Sequence, residues 1–378
     1  MWDTKANPSS KDPIAPWVEA QRCVRYISNV TQVPSPHATS TGNRRAPVFA
    51  ALDLGTNNCR LLMGIPAATG FRVLDSFSRI VRLGEGVQSS GRLNPVAMDR
   101  AVEALHACAA RLARRPVRAM RAITTEACRR AVNGTEFLHR VRTETGICFD
   151  VISAREEAEL ALESCAPLLQ GAGRRALVFD IGGGSTEVAW VRLDTPSRRP
   201  ELIAFASLPV GVVSLSEQYG PSAFTPDGFA AMVDDVAARL LPFERVHCIA
   251  HEARIGGVRM LGTSGTVTTL AGVAMGLLRY RRPLVDGTML SADAADSALR
   301  VLRDLGRDGL ATHPCVGKER ADFVLPGCAV FEAIRRMWPL PEVLVADRGL
   351  REGVLLRLMR LDAGDSRLPR FSRTASPA

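Results

Sequence analysis

An Asp that closes an apolar run and opens a turn of small residues occurs twice in this chain. The two stretches are Ala51-Leu52-Asp53-Leu54-Gly55-Thr56-Asn57-Asn58 and Val178-Phe179-Asp180-Ile181-Gly182-Gly183-Gly184-Ser185-Thr186-Glu187. Turns this small let backbone N–H groups approach a phosphate closely, and the Asp can hold a divalent cation or orient water. The repeat predicts two related lobes facing one anionic ligand. A tight hairpin is the plain alternative for the first turn. It suits the second less well, because three consecutive glycines cost stability unless the backbone must approach something.

Three further segments carry residues of interest. Gly262-Thr263-Ser264-Gly265-Thr266 stands between an apolar run and a helical pattern, so its N–H groups and the helix dipole favour an anion; a simple Ser/Thr N-cap is the alternative. In Ser153-Ala154-Arg155-Glu156-Glu157, Ser153 and Glu156 have capping-box spacing, which leaves Glu157 over. Glu157 is either a solvated charge or, at a lobe junction, a carboxylate that accepts a proton from attacking water. Arg129, in Thr125-Glu126-Ala127-Cys128-Arg129-Arg130, has the fork to grip phosphate oxygens, though paired arginines are usually surface charges. The histidines lack metal-ligand spacing, Ser264 has no evident triad partner, and neither a Walker lysine loop nor a GxGxxG is present.

The elements that must position these residues read as strands and helices in alternation. Strands are expected at 48–54, 60–63, 72–78, 117–123 and 148–153, with Asn94-Pro95 opening a helix and another helix over 155–169. The scheme then repeats, with strands at 176–180, 187–193, 201–208 and 259–261 and helices after Ser214, Thr225 and Thr266. This order predicts an α/β protein of two lobes with mixed sheets flanked by helices and a cleft between them. The expected division is a disordered extension over 1–46, a first lobe over 47–164, a second lobe over 165–360 and a disordered tail over 361–378.

Composition narrows the function classes. The chain has 378 residues, 46% hydrophobic and 23% charged, as expected of a two-domain globular protein. The absence of a long uncharged apolar run and of a basic-then-apolar leader points to the cytoplasm, without membrane attachment. Nine scattered cysteines without a CxxC pair read as small buried residues. A net charge of +9 suits an anionic partner, but with 5% aromatics, base stacking is poorly supported and nucleic acid is disfavoured. A polyanion lacking bases fits better.

Together, Asp53 to Asn57, Val81 to Gly86, Arg129 with Asn133, Ile152 to Ala158, Asp180 to Glu187, Leu208 to Gly211 and Gly262 to Thr266 resemble the exopolyphosphatase/guanosine pentaphosphate phosphatase (Ppx/GppA) family. Arg320-Ala321-Asp322, Pro326-Gly327 and Ala346 to Gly353 resemble its C-terminal part, in its short two-domain form. The resemblance implies an actin-like ATPase-domain fold (ribonuclease H-like lobes) and hydrolysis of terminal phosphoanhydride bonds with magnesium. It implies Glu157 as general base and Asp53, Asp180 and Glu187 as metal-associated carboxylates. Gly55, Thr56, Asn57, Arg129, Gly182, Gly183, Gly184, Ser185, Gly262, Thr263, Ser264 and Gly265 would hold phosphate. The substrate would be inorganic polyphosphate or guanosine pentaphosphate, and the family suggests a homodimer. The competing classes are a kinase of the same fold and a non-catalytic anion sensor. Asn58-Cys59 departs from the family pattern, which commonly has Ser there.

Overall fold

The structure is a computed structural model that describes residues 46–364 apart from 69, 172 and 196–198. Residues 1–45 of the expected extension and 365–378 of the expected tail lie outside the described residues. The first lobe runs β1 (Val48–Leu54), β2 (Asn58–Ala67), β3 (Gly70–Ile80), α1 (Val87–Ser90), α2 (Pro95–Leu112), β4 (Val117–Thr124), α3 (Glu126–Arg130), α4 (Gly134–Thr145) and β5 (Phe149–Val151). Helix α5 (Ala154–Cys165) leads to the second lobe, where β6 (Arg175–Ile181), β7 (Thr186–Arg192) and β8 (Glu201–Leu208) precede α6 (Val212–Tyr219), α7 (Pro226–His247) and α8 (Ile249–Ile255). Strand β9 (Val258–Thr263), α9 (Gly265–Ala274), α10 (Arg282–Val285), β10 (Met289–Ser291), α11 (Ala292–Asp304), α12 (Gly306–Thr312), α13 (Ala321–Met337), β11 (Glu342–Ala346) and α14 (Leu350–Asp362) complete it.

The two sheets repeat one plan. The first has the order β3-β2-β1-β4-β5, and the second, read from its other edge, is β8-β7-β6-β9-β11-β10. In both, the strand carrying the Asp is central, antiparallel to the strand that follows its turn and parallel to its other neighbour. β10 is an added edge strand, antiparallel to β11.

Each central strand is covered on both faces, which explains its nearly unbroken apolar run. Along β1, Ala50, Leu52 and Leu54 enter a cluster with α2 and α4, while Phe49 and Ala51 enter one with α14. This is the period-two alternation of a strand with two buried faces. In the second lobe Leu177 and Phe179 face α7 and α13, and Ala176 and Val178 face Leu162 and Cys165 of α5.

Several helices begin where their caps predict. Asn94 accepts from Val96 N before Pro95, and Thr225 accepts from Gly228 N before Pro226. The region after Thr125 forms two helices with a break between them: α3 stops at Arg130, and α4 starts only at Gly134. Asn133 is buried between them, its side chain bonded to both backbone groups of Leu93, which anchors the break.

The chain ends by crossing back. Helix α14 falls within the span expected for the second lobe, yet Leu350, Val354, Leu355, Leu358 and Met359 pack against Phe49, Ala51, Leu62, Ala119 and Ile123 of the first sheet. At Gly353 a side chain would collide with the Leu160 carbonyl, so α14 and α5 cross in close contact. The sequence pattern of α14 conceals this role, because polar Glu352, Arg357 and Arg360 interrupt its apolar positions. The structure uses those side chains in partly buried ion pairs with Arg282, Glu156 and Glu163.

Candidate active site

The two Asp-and-glycine segments form matching hairpins. Gly55 N donates to Asn58 O at 2.9 Å, and Gly182 N donates to Ser185 O at the same distance. A Cβ at Gly183 would lie 3.0 Å from the Thr56 Cβ, and one at Gly184 would lie 3.1 Å from the Thr56 Oγ1, so the turns meet across the cleft. Behind them, Val81, Arg82 and Gly84 amides donate to carbonyls of Thr56 and Asn57, and Val212 and Val213 amides at the start of α6 donate to Gly182 and Gly183. The carbonyl side of each turn is thereby tied to its own lobe.

The ladder partner of the Asp distinguishes the hairpins. Asp180 stands opposite Glu187, whereas Asp53 stands opposite Arg60. Glu187 therefore continues an acidic wall and Arg60 begins a cationic one.

The acidic wall includes Glu157, in the first turn of α5 and 7% exposed, and Glu187, 4% exposed. Ser153 accepts from Glu156 N at 3.1 Å, the expected cap. The Glu156 carboxylate accepts from Arg121 at 2.8 Å and Arg357 at 3.2 Å, which fixes α5 against β4 and α14. Glu157 is thus held on a braced helix end. Burial, then the negative charge of Glu187, pushes its carboxyl well above the ordinary range, with Asp180 and Asp53 adding to the rise and Arg129 opposing it. Burial and Asp180 carry Glu187 up to about 7, against a hydrogen bond from Ser207 at 2.8 Å. Burial takes Asp180 up to about 6, with Arg60 opposing and Asp53 assisting. Asp53 is also raised by burial, and Arg60 and Arg351 oppose that rise. All four carboxylates therefore share one electrostatic environment.

Arg129 sits on the acidic wall. It donates to Ile152 O at 2.8 Å, to Glu126 at 2.7 Å and to Glu157 Oε2 at 3.4 Å, so its fork is occupied by protein groups. The phosphate contact expected of it would require those bonds to rearrange.

Close to these carboxylates gathers a cationic wall of arginines that the motifs do not single out as ligands. Arg320 donates to Gly265 O and Thr269 Oγ1, each at 2.6 Å, and thus lies against the Gly262–Gly265 loop. Burial and then Arg60 push its guanidinium below the ordinary range. Arg351, at the start of α14, is lowered by burial, with Arg60 and Arg282 adding to the effect and Glu352 opposing it. Cations held this close favour a multiply charged anion between them. Arg60 follows Asp53 at the same interval at which Glu187 follows Asp180, so the repeat itself contained its signal.

The third loop joins this wall at the end of β9, where Thr263 is the ladder partner of Asp180. Ser264 has φ +116°, a strained value for a non-glycine residue, while its Oγ accepts from Thr266 N at 3.2 Å to start α9. Thr263 Oγ1 donates to Arg348 O, linking the loop to the start of α14. All three turns expected to hold phosphate therefore border one cleft.

The carboxylates do not form a ready cage: among the described residues no group of three or more His, Cys, Asp or Glu side chains could hold a metal ion alone. Their chemistry nevertheless fits a hard cation bound through one or two carboxylates, with substrate oxygens and water supplying the rest. Asp53 Oδ1 is buried without a hydrogen-bond partner, a cost that a cation would offset.

Comparison with known proteins gives the family and the fold. The Ppx/GppA phosphatase family matches residues 66–361. A provisionally named exopolyphosphatase of Haemophilus influenzae is 28% identical over 311 residues, which is 82% of this chain and 91% of that one. A guanosine-5'-triphosphate,3'-diphosphate pyrophosphatase of Photobacterium profundum is 29% identical over 84% of this chain, but the match spans only 60% of the relative. A solved Ppx/GppA family member from Aquifex aeolicus superposes with a TM-score of 0.69 at 25% identity, covering 85% of this chain and 100% of that one. An exopolyphosphatase from Cytophaga hutchinsonii, 23% identical with a TM-score of 0.74 over 84% of this chain and 98% of its own, shares the fold. No helix among the described residues is long and apolar enough to cross a membrane. The duplicated sheets have the actin-like ATPase fold, and the chain belongs to the Ppx/GppA phosphatase family.

Proposed function

We propose that this phosphatase is an exopolyphosphatase that removes the terminal phosphate of inorganic polyphosphate. The observation that carries the reading is the burial of Glu157 beside three further carboxylates, with a cluster of arginines close to the same group. Arg60, Arg320 and Arg351, with the glycine turns, would hold the terminal phosphates. Glu157 takes a proton from water as the water oxygen bonds to the terminal phosphorus. The bridging P–O bond breaks, and the shortened chain leaves with that oxygen and its negative charge. One or two carboxylates among Asp53, Asp180 and Glu187, with substrate oxygens and water, would hold magnesium, which when bound neutralises phosphate charge.

Polyphosphate comes before guanosine pentaphosphate because repeated guanidinium groups match repeated phosphates without requiring a base pocket. The Photobacterium relative's name supports the second reading. A kinase or a passive sensor makes poorer use of a buried base beside two further carboxylates. The experiment is phosphate release from long polyphosphate, short polyphosphate and guanosine pentaphosphate, with magnesium and with chelator. Preference for the guanosine compound would select the second reading, and tight binding without turnover would select the sensor. Homodimer formation is part of the proposal, and light scattering after size exclusion tests it.

A further inference from the structure

Glu126 is absent from the mechanism above, yet it makes the shortest bond to the arginine beside the general base. It opens α3 directly after β4, and the three-residue helical interval brings its Oε2 to 2.7 Å from Arg129 Nη2. Arg129 Nη1 meanwhile divides between Ile152 O at 2.8 Å and Glu157 Oε2 at 3.4 Å. Glu126 is itself confined: a Cβ on Gly184 would come within 3.2 Å of its Cγ, and it lines a small recess with Thr56, Arg130 and Glu217.

A guanidinium beside two carboxylates has two arrangements. If both prongs turned onto Glu157, the pair would be bidentate and strong, and it would occupy the oxygens that must receive the proton from water. The structure shows the divided arrangement, with Glu126 retaining Nη2 and only a long contact reaching Glu157. We propose that Glu126 is a positioning residue that keeps the Arg129 fork from closing on Glu157, so that Glu157 is oriented but remains available to water. This inference rests on Glu157 being the base.

The test uses the full chain and initial rates of phosphate release from polyphosphate, with melting temperatures as a folding check. Glu126→Ala should lower kcat by about 10- to 100-fold, the range for outer-shell partners, with KM changed far less. Glu126→Gln keeps an acceptor for Arg129 at roughly half the strength and should recover most of that loss. Because Glu126 acts through Arg129, the Glu126→Ala/Arg129→Ala double variant should be no slower than Arg129→Ala alone. Parental kcat in Glu126→Ala, a purely KM effect or multiplicative loss in the double variant would each overturn the proposal. If Glu126→Ala does not fold, Glu126→Met, which fills the space without a strong acceptor, takes its place with and without Arg129→Ala. An active Glu157→Gln enzyme overturns the general-base reading itself. Inactive Glu157→Gln beside unimpaired Glu126→Ala overturns only the positioning role.

Discussion

The β1–β2 and β6–β7 hairpins have the same strand directions, the same turn hydrogen bond and the same central place in their sheets. They differ in the residue facing the Asp: Arg60 in the first and Glu187 in the second. The helices after β5 and β11 add to both groups with the order reversed, since α5 contributes Glu157 and α14 contributes Arg351. A duplicated scaffold thus presents groups of opposite charge, which the proposed mechanism uses to grip an anion and to activate water. The geometry that builds the site is shared, and the choice of charge at matching places separates the tasks.

The largest expected effect tests the acidic wall. Glu157→Gln should lower kcat by about 10²- to 10⁴-fold while polyphosphate binding, followed by titration calorimetry, is kept. Turnover near the parental rate would remove Glu157 from the mechanism.

The reverse pattern should come from the cationic wall. Arg60→Gln should weaken polyphosphate binding by roughly 10- to 100-fold, the cost of about 1.5–3 kcal/mol for a lost charged hydrogen bond, with a smaller change in kcat. A kcat loss as large as that of Glu157→Gln would mean that the walls do not divide the work.

Stability against pH tests the carboxylates together. Burial raises Asp180 to about 6 and Glu187 to about 7, so the fold favours their protonated forms. Their contribution is fully present below the unfolded values and is lost as pH rises through those folded values. The metal-free protein should therefore lose stability between about pH 4 and pH 7. Magnesium should raise the melting temperature by a few degrees at pH 8 and less at pH 5. An equal magnesium effect at both values would separate these carboxylates from the cation.

The smallest effect concerns Ser264, whose φ of +116° lies in the glycine-favoured region. Ser264→Gly relieves that strain and loses only a weak cap, so melting should stay level or rise. Ser264→Ala retains the strain and loses the cap, which should cost about 0.5–2 kcal/mol. Equal melting of the two variants would mean that neither term operates here.

Much of the scaffold was legible because local chemistry and fold agree there. Asn94-Pro95 and Thr225-Pro226 cap the helices that their types predict, and the Asp-and-glycine turns close hairpins. Glu157 was readable from its leftover place beside a cap. Arg60 was not, because a single cation in a strand is ordinary until the register sets it opposite Asp53. Arg320 and Arg351 are brought in by distant helices, and no local pattern records which wall they join. Arg129 was assigned to phosphate from its fork, whereas its partners Glu126, Ile152 and Glu157 are set by tertiary packing.

The return of α14 has a consequence for synthesis. The apolar face formed by Phe49, Ala51, Leu62, Ala119 and Ile123 is covered by residues from Leu350 onward, which are made long after that face. At about 5–20 residues per second, that face waits on the order of 10–40 s after the first lobe is made. The first sheet therefore completes its packing only when α14 arrives, long after its own strands have left the ribosome.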